Sequence, residues 1–196
     1  MLPWLMGLAG FGLYLLYDID SFSNLWKPLR LGFLLGTLLI GFSTLLQMFS
    51  AWRQDAFSGL WDWILLCLGL ISFAALIYCL FFALPFTETY ADPEQGRHVY
   101  TCGAYALCRH PGILCFFAMY LFWGLAALPT GFLPCGMVFS GLNLAYAWFQ
   151  DRVTFPKTFC DYTDYREKAP FLLPTAASFH RAVKTWGYPY EKEEEL

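Results

Sequence analysis

Three stretches of this chain, residues 31–52, 63–87 and 111–150, contain no Asp, Glu, Lys or Arg. Each exceeds the ~20 apolar residues that a helix needs to cross a hydrocarbon core of ~30 Å. The third is about twice that length and carries its own break at Pro129-Thr130-Gly131, so it reads as two spans, 111–128 and 131–150, joined by a tight turn. Residues 1–17 are also uncharged, though shorter. A cleaved signal peptide would need a basic leading region and a small-residue cleavage site. No Lys or Arg precedes Lys27, and Asp18-Ile19-Asp20 follows directly, so this segment reads as a first span. The composition agrees: 14% of the residues are charged, against ~25% in soluble domains. The expected fold is an all-α polytopic membrane protein, one membrane domain over 1–196. It has five transmembrane helices (1–17, 31–52, 63–87, 111–128, 131–150) and a cytoplasmic helical cap in the tail 151–196.

Five spans put the two termini on opposite sides. Lys27, Arg30, Arg97 and Arg109 then share a side with Arg152, Lys157, Arg166, Lys168, Arg181, Lys184 and Lys192, leaving only Arg53 opposite. The excess of basic residues marks the cytoplasmic side, which places the N-terminus outside and the C-terminus in the cytoplasm. The 87–110 connection and the tail therefore share one compartment, and they hold all three histidines. A bacterial plasma membrane is expected in preference to the endoplasmic reticulum. The net charge of −3 gives no footing for nucleic acid. The seven cysteines include no CxxC pair and four lie inside spans, so no metal is expected.

Two segments carry candidate chemistry. The first is Gly103-Ala104-Tyr105 through Arg109-His110-Pro111, immediately before the fourth span. Pro111 suits the first turn of a helix, which puts His110 beside free N–H groups and the positive end of the dipole, a setting for a ligand carboxylate. Tyr105 and Arg109, four apart, share a face if the stretch is helical. The bland alternative is an interfacial anchor with a snorkelling Arg and a belt Tyr. The second segment is Gln150-Asp151-Arg152, then Phe159, Tyr162-Thr163-Asp164-Tyr165-Arg166, Pro170 and Pro174. Tyr162 and Tyr165 fall on one helical face, and the bland alternative is an amphipathic helix on the headgroups. A hairpin of two spans returns its ends to one membrane surface, which puts His110 beside Asp151 with the tail as a lid.

In their order and spacing over about 80 residues, these motifs resemble the integral membrane methyltransferase superfamily of isoprenylcysteine carboxyl methyltransferases and phospholipid methyltransferases. Members carry Gly-Pro-Tyr and Arg-His-Pro before a hydrophobic hairpin, an acidic pair after it, and a Phe, Tyr-x-x-Tyr-Arg, Pro, Pro tail. Here Ala104 replaces the Pro, Ile113 stands where a Tyr is common, and Gln150-Asp151 or Asp151-Arg152 replaces the acidic pair. The first two spans lie outside the resemblance. It implies S-adenosylmethionine as cofactor on the cytoplasmic side and a lipid-like or prenylated acceptor from the bilayer. It further implies Arg109 and His110 near the cofactor carboxylate or the acceptor's anionic group. Tyr105 and Tyr165 would pack near adenine or the sulfonium, and Asp151 would meet the cofactor's ammonium or ribose. Gly103, Pro111, Gln150 and Tyr162 complete the expected cofactor-binding set. Two alternatives are an NADPH-dependent membrane reductase of the sterol type, where Asn-Tyr rather than Gly112-Ile113 would follow the Pro, and an inactive protein that retains the fold.

Overall fold

The computed structural model describes residues 1–23, 26–83 and 97–186. Among these, every regular element is helical and the sole β feature is an isolated parallel bridge between Arg97 and Phe159. The long elements are α1 (Leu2–Ser23), α2 (Gly32–Arg53, preceded by a 3-10 turn Lys27–Leu31) and α3 (Leu60–Ile77, running into a π turn Tyr78–Phe82). A four-residue α4 (Ala104–Leu107) precedes α5 (Pro111–Ala126), and α6 (Phe132–Phe149) continues through a π turn (Gln150–Thr154) into α7 (Phe155–Thr158). The tail adds α8 (Tyr162–Lys168) and α9 (Ala176–Lys184).

Among the described residues, four helices are long and apolar enough to cross a membrane: Leu2–Ser21, Pro28–Arg53, Leu60–Phe82 and Phe132–Thr158. Pro111–Ala126 is apolar but shorter. The break expected at 129–131 is present, as a 3-10 turn over Leu128–Thr130 closed by Gly131 at φ 75°, a left-handed conformation that glycine adopts without a Cβ penalty. The helices depart from the sequence expectation at three places. The first helix runs to Ser23, so Asp18 and Asp20 lie on it rather than after it. The last long helix continues through a π turn to Thr158, past the expected end of the span at 150. The stretch after Tyr105 is helical only to Leu107, with Cys108 extended at φ −161°, so Tyr105 and Arg109 do not share a helical face. Residues 84–87, the expected end of the third span, and the end of the tail from 187 lie outside the described residues.

The chain forms two compact units, residues 1–73 with 116–154 and residues 74–115 with 155–196. In the first, helix faces are inverted relative to a soluble protein. On α2, Ser43, Thr44 and Gln47 are buried, whereas Leu34, Leu38, Phe42, Leu45 and Phe49 point outward. Water would reverse that arrangement; lipid favours it, because apolar side chains are at home outside and polar ones need partners inside. Those partners exist. Ser43 Oγ donates to the Pro3 carbonyl at 2.7 Å, and Thr44 and the buried Tyr120 share a hydroxyl–hydroxyl bond.

Small residues set how closely these helices approach. A Cβ on Gly36 would stand 2.7 Å from the Gly10 carbonyl oxygen, and one on Gly10 would stand 2.8 Å from that of Gly36. The α5–α6 hairpin closes in the same way, with Gly136 under Tyr120 and the Tyr120 ring 6.0 Å from Phe132 and 5.8 Å from Phe139.

The obstacle at Gly36 is backbone, which cannot rotate away. Gly36→Ala should therefore lower stability by about 1–3 kcal/mol, the usual range for overpacking. Gly41→Ala on the same helix has open space around its Cβ and should leave stability unchanged or raise it. Thermal unfolding of the two variants in one detergent measures the difference, and equal midpoints would contradict the close α1–α2 crossing.

Candidate functional site: a strapped motif block and a buried carboxylate

In the second unit the two motif blocks, sixty residues apart, are bonded directly to each other. The Arg109 backbone N–H donates to the Pro170 carbonyl at 2.9 Å. Its guanidinium Nη1 donates to the carbonyls of Arg166 at 3.0 Å and Ala169 at 2.7 Å, with the Phe171 ring 5.7 Å away. Those carbonyls close the C-terminus of α8, where a helix has orphan acceptors and the negative end of its dipole. Arg109 is thus a cap as well as a site candidate. The Tyr165 hydroxyl donates to the Tyr105 carbonyl at 2.8 Å, and the Tyr105 hydroxyl donates to that of Cys79 at 2.9 Å. Gly103 N–H donates to Thr185 Oγ1 at 3.0 Å, while Gly103 itself sits at φ 58°.

Tyr162 and Tyr165 do share a face of α8, with ring centroids 5.9 Å apart. Both are buried, in a cluster with Val99 and Ala169 that Phe155 and Phe159 complete. Burial lifts the Tyr165 phenol well above its ordinary 10.0, so it serves as a hydroxyl donor throughout the working pH range. The lid expected over His110 is therefore a packed layer. His110 is buried, stacked on Phe155 at 5.9 Å and edge-on to Phe171 at 5.0 Å. Pro111 opens α5 directly after it. Next to it, Cys108 is fully buried; burial pushes its thiol up to about 11 against a smaller opposing pull from the His110 backbone N–H. An open surface cavity of about 350 Å³ lies over this strap, lined by Arg109, Thr163, Arg166 and Glu167.

Gln150 and Asp151 belong to the first unit. They start a π turn that precedes Pro156, whose missing N–H cannot bond to the carbonyl four residues back. Asp151 is buried. The turn packs against α1, where Asp18 and Asp20 are buried too. Thr154 Oγ1 donates to Asp18 Oδ2 at 3.4 Å, and the Gln150 side chain and the Tyr146 hydroxyl lie beside the same carboxylate. Asp20 Oδ1 accepts the backbone N–H of Trp26 at 2.8 Å. Asp18 and Asp20 are residues that the sequence reading used only to end the first span. The available signal was two carboxylates against an uncharged run, since an ionisable group at membrane depth marks function by default. The expected pairing of His110 with Asp151 joins residues of different units.

Comparison with protein-family models, curated proteins and solved structures found no match to this chain.

Hydrogen bonds from a charged donor contribute ~1.5–3 kcal/mol. Arg109→Ala should therefore cost about 2–3 kcal/mol and raise amide exchange over residues 162–170. Exchange in α2 should stay at the parent rate, because distant sites are additive. Hydrogen-exchange mass spectrometry reads both, and unchanged exchange over 162–170 would remove the strap role.

Proposed function

We propose that this chain is an integral membrane methyltransferase that moves the methyl group of S-adenosylmethionine to a lipid-like or prenylated acceptor at the cytoplasmic membrane surface. The observation that carries the reading is the direct bonding of Gly103–Pro111 to Phe159–Pro170, the two blocks whose order and spacing resemble the isoprenylcysteine carboxyl and phospholipid methyltransferases. If the acceptor is a prenylcysteine carboxylate, a carboxylate oxygen attacks the methyl carbon as the methyl–sulfur bond breaks. A neutral ester and a neutral thioether result. Opposite charges are annihilated, so a site poor in water lowers the barrier, and the protein's work is alignment and exclusion of water.

His110, buried between Phe155 and Phe171, holds the anionic group of cofactor or acceptor, and Arg109 fixes the backbone around it while facing the open cavity. Gly103, Tyr105 and Pro111 shape that wall, with Tyr162 and Tyr165 behind it. Gln150 and Asp151 take the cofactor's ammonium or ribose hydroxyls. Pro111–Ala126 acts as a fifth span, with its 16 residues lengthened by the following 3-10 turn. The membrane is a bacterial plasma membrane, with the N-terminus outside. In the tail, Phe179, Val183 and Trp186 point outward beside His180, Arg181 and Lys184, and Trp186 stacks on Tyr78 near the end of a span. That composition suits a helix lying on anionic headgroups.

Calorimetry on detergent-solubilised protein should find binding of S-adenosylmethionine and its demethylated product and none of NADPH. His110→Ala and Asp151→Asn should each weaken binding at least ~10-fold, one lost charged hydrogen bond, while Arg53→Ala matches the parent. NADPH binding without S-adenosylmethionine binding would move the assignment to the sterol-type reductases. Cofactor binding with no methyl transfer to lipid extracts would make the chain an inactive relative.

The orientation has its own test. In intact cells an impermeant thiol reagent should reach a cysteine introduced at Ser58 and miss one introduced after Leu196. The reverse pattern would invert the topology.

A further inference from the structure

The Arg97–Phe159 bridge brings together three side chains that the methyl-transfer reading does not use. Cys160 N–H donates to the Arg97 carbonyl at 3.0 Å, and this register sets His98 against Cys160 and Asp161. His98 Nδ1 lies 3.2 Å from Asp161 Oδ2, and Cys160 Sγ lies 3.5 Å from the same nitrogen. The three donor atoms all fall within 4.8 Å of one another. Zinc bonds of ~2.0–2.2 Å to N and O and ~2.3 Å to S put the corners of a tetrahedral site roughly 3.3–3.7 Å apart. The separations of 3.2 and 3.5 Å already lie close to such edges.

An ion pair between His98 and Asp161 explains only part of this. Both side chains are substantially exposed, at 43% and 32%, where a pair of this kind contributes little. It does not involve the Cys160 thiol, which lies 3.4 Å from the Arg97 carbonyl oxygen as well as 3.5 Å from the same nitrogen. The surroundings are those of a ligand set. Val99 N–H donates to Asp161 Oδ1 at 2.9 Å, which orients the carboxylate and turns its other oxygen toward His98, as outer-shell bonds do around metals.

We propose that His98, Cys160 and Asp161 form a three-ligand Zn²⁺ site, with water or an external ligand in the fourth position. The donors are one imidazole nitrogen, one thiolate and one carboxylate oxygen. The thiolate selects against Mg²⁺ and Ca²⁺, and the mixed N, S and O set suits zinc. On binding, Cys160 gives up its thiol proton to solvent, His98 offers the Nδ1 lone pair as a neutral imidazole, and Asp161 Oδ2 exchanges its contact with His98 for the metal. Thiolate and carboxylate together balance the ion's charge. Zinc would clamp residues 97–99 to 159–161, at the edge of the cluster of Val99, Tyr162 and Tyr165. The site stands whether or not the chain transfers methyl groups.

Zinc is spectroscopically silent, so Co²⁺ is the probe. The full chain, purified in detergent and stripped with chelator, is titrated with Co²⁺ alone. A thiolate-to-cobalt charge-transfer band should saturate at about one Co²⁺ per chain and vanish when Zn²⁺ is added. Cys160→Ser should lose the band and weaken Zn²⁺ at least ~100-fold, beyond what losing an outer-shell partner costs. Cys67→Ser, which removes the other exposed thiol, should keep it. Zn²⁺ should also raise the unfolding temperature of the stripped parent. No band in the parent, or a band that persists in Cys160→Ser, overturns the site. Should Cys160→Ser fail to fold, His98→Asn gives the same decision, and the parent titration stands by itself.

Discussion

Everything in the first unit depends on one constraint: helices whose outward faces are apolar must satisfy their polar groups inward. Leu38, Phe42, Leu45 and Phe49 occupy the outer face of α2, so Ser43, Thr44 and Gln47 fall on the inner one. Inside, each hydroxyl needs a partner, and the partners at Pro3 and Tyr120 come from other helices. Such bonds form only if backbones come close, which requires glycine at the α1–α2 crossing. Small residues and buried hydroxyls are therefore one device: the glycines permit the approach and the hydroxyls fix its register.

The same constraint makes the buried carboxylates of that unit conspicuous. Asp18, Asp20 and Asp151 are as inaccessible as core alanines, yet each has an acceptor's full capacity. Desolvating a carboxylate is costly unless donors surround it. Thr154 and the Trp26 N–H supply two, to Asp18 and Asp20. A π turn at Gln150–Thr154 belongs to a class of helix irregularity found disproportionately at functional sites.

The second unit is organised by Arg109. Its guanidinium caps the end of α8 at the Arg166 and Ala169 carbonyls, and its backbone N–H holds the chain at Pro170. That leaves Tyr162 and Tyr165 with an inward path only, so they pack against Val99. A motif arginine and a tyrosine pair that invite reading as ligand contacts are thereby also the fabric of the site's wall. The same packing holds His110 between the rings of Phe155 and Phe171.

Local sequence was enough for the helical class, the long apolar helices, the break before Gly131 and the start of α5 at Pro111. Each follows from charge-free length, or from proline and glycine chemistry acting over a few residues. The two motif blocks were legible for the same reason, being short, ordered and close to helix ends. The end of α1 and the continuation of the last long helix past Phe149 were not, because a charge interrupts such a helix only if it cannot be buried, and Asp18 and Asp151 are buried by neighbours far along the chain. Nor was the fate of Tyr162 and Tyr165: spacing puts them on one face, but whether that face meets ligand or protein depends on Arg109 pulling the tail in. His98 lies 63 residues from Asp161 with no local motif to join them. Only the register of the Arg97–Phe159 bridge makes them neighbours. Composition along the chain determines what each segment can be. Which donors and acceptors meet is decided by packing, since a bond between distant residues exists only once the backbones that carry them have been brought together.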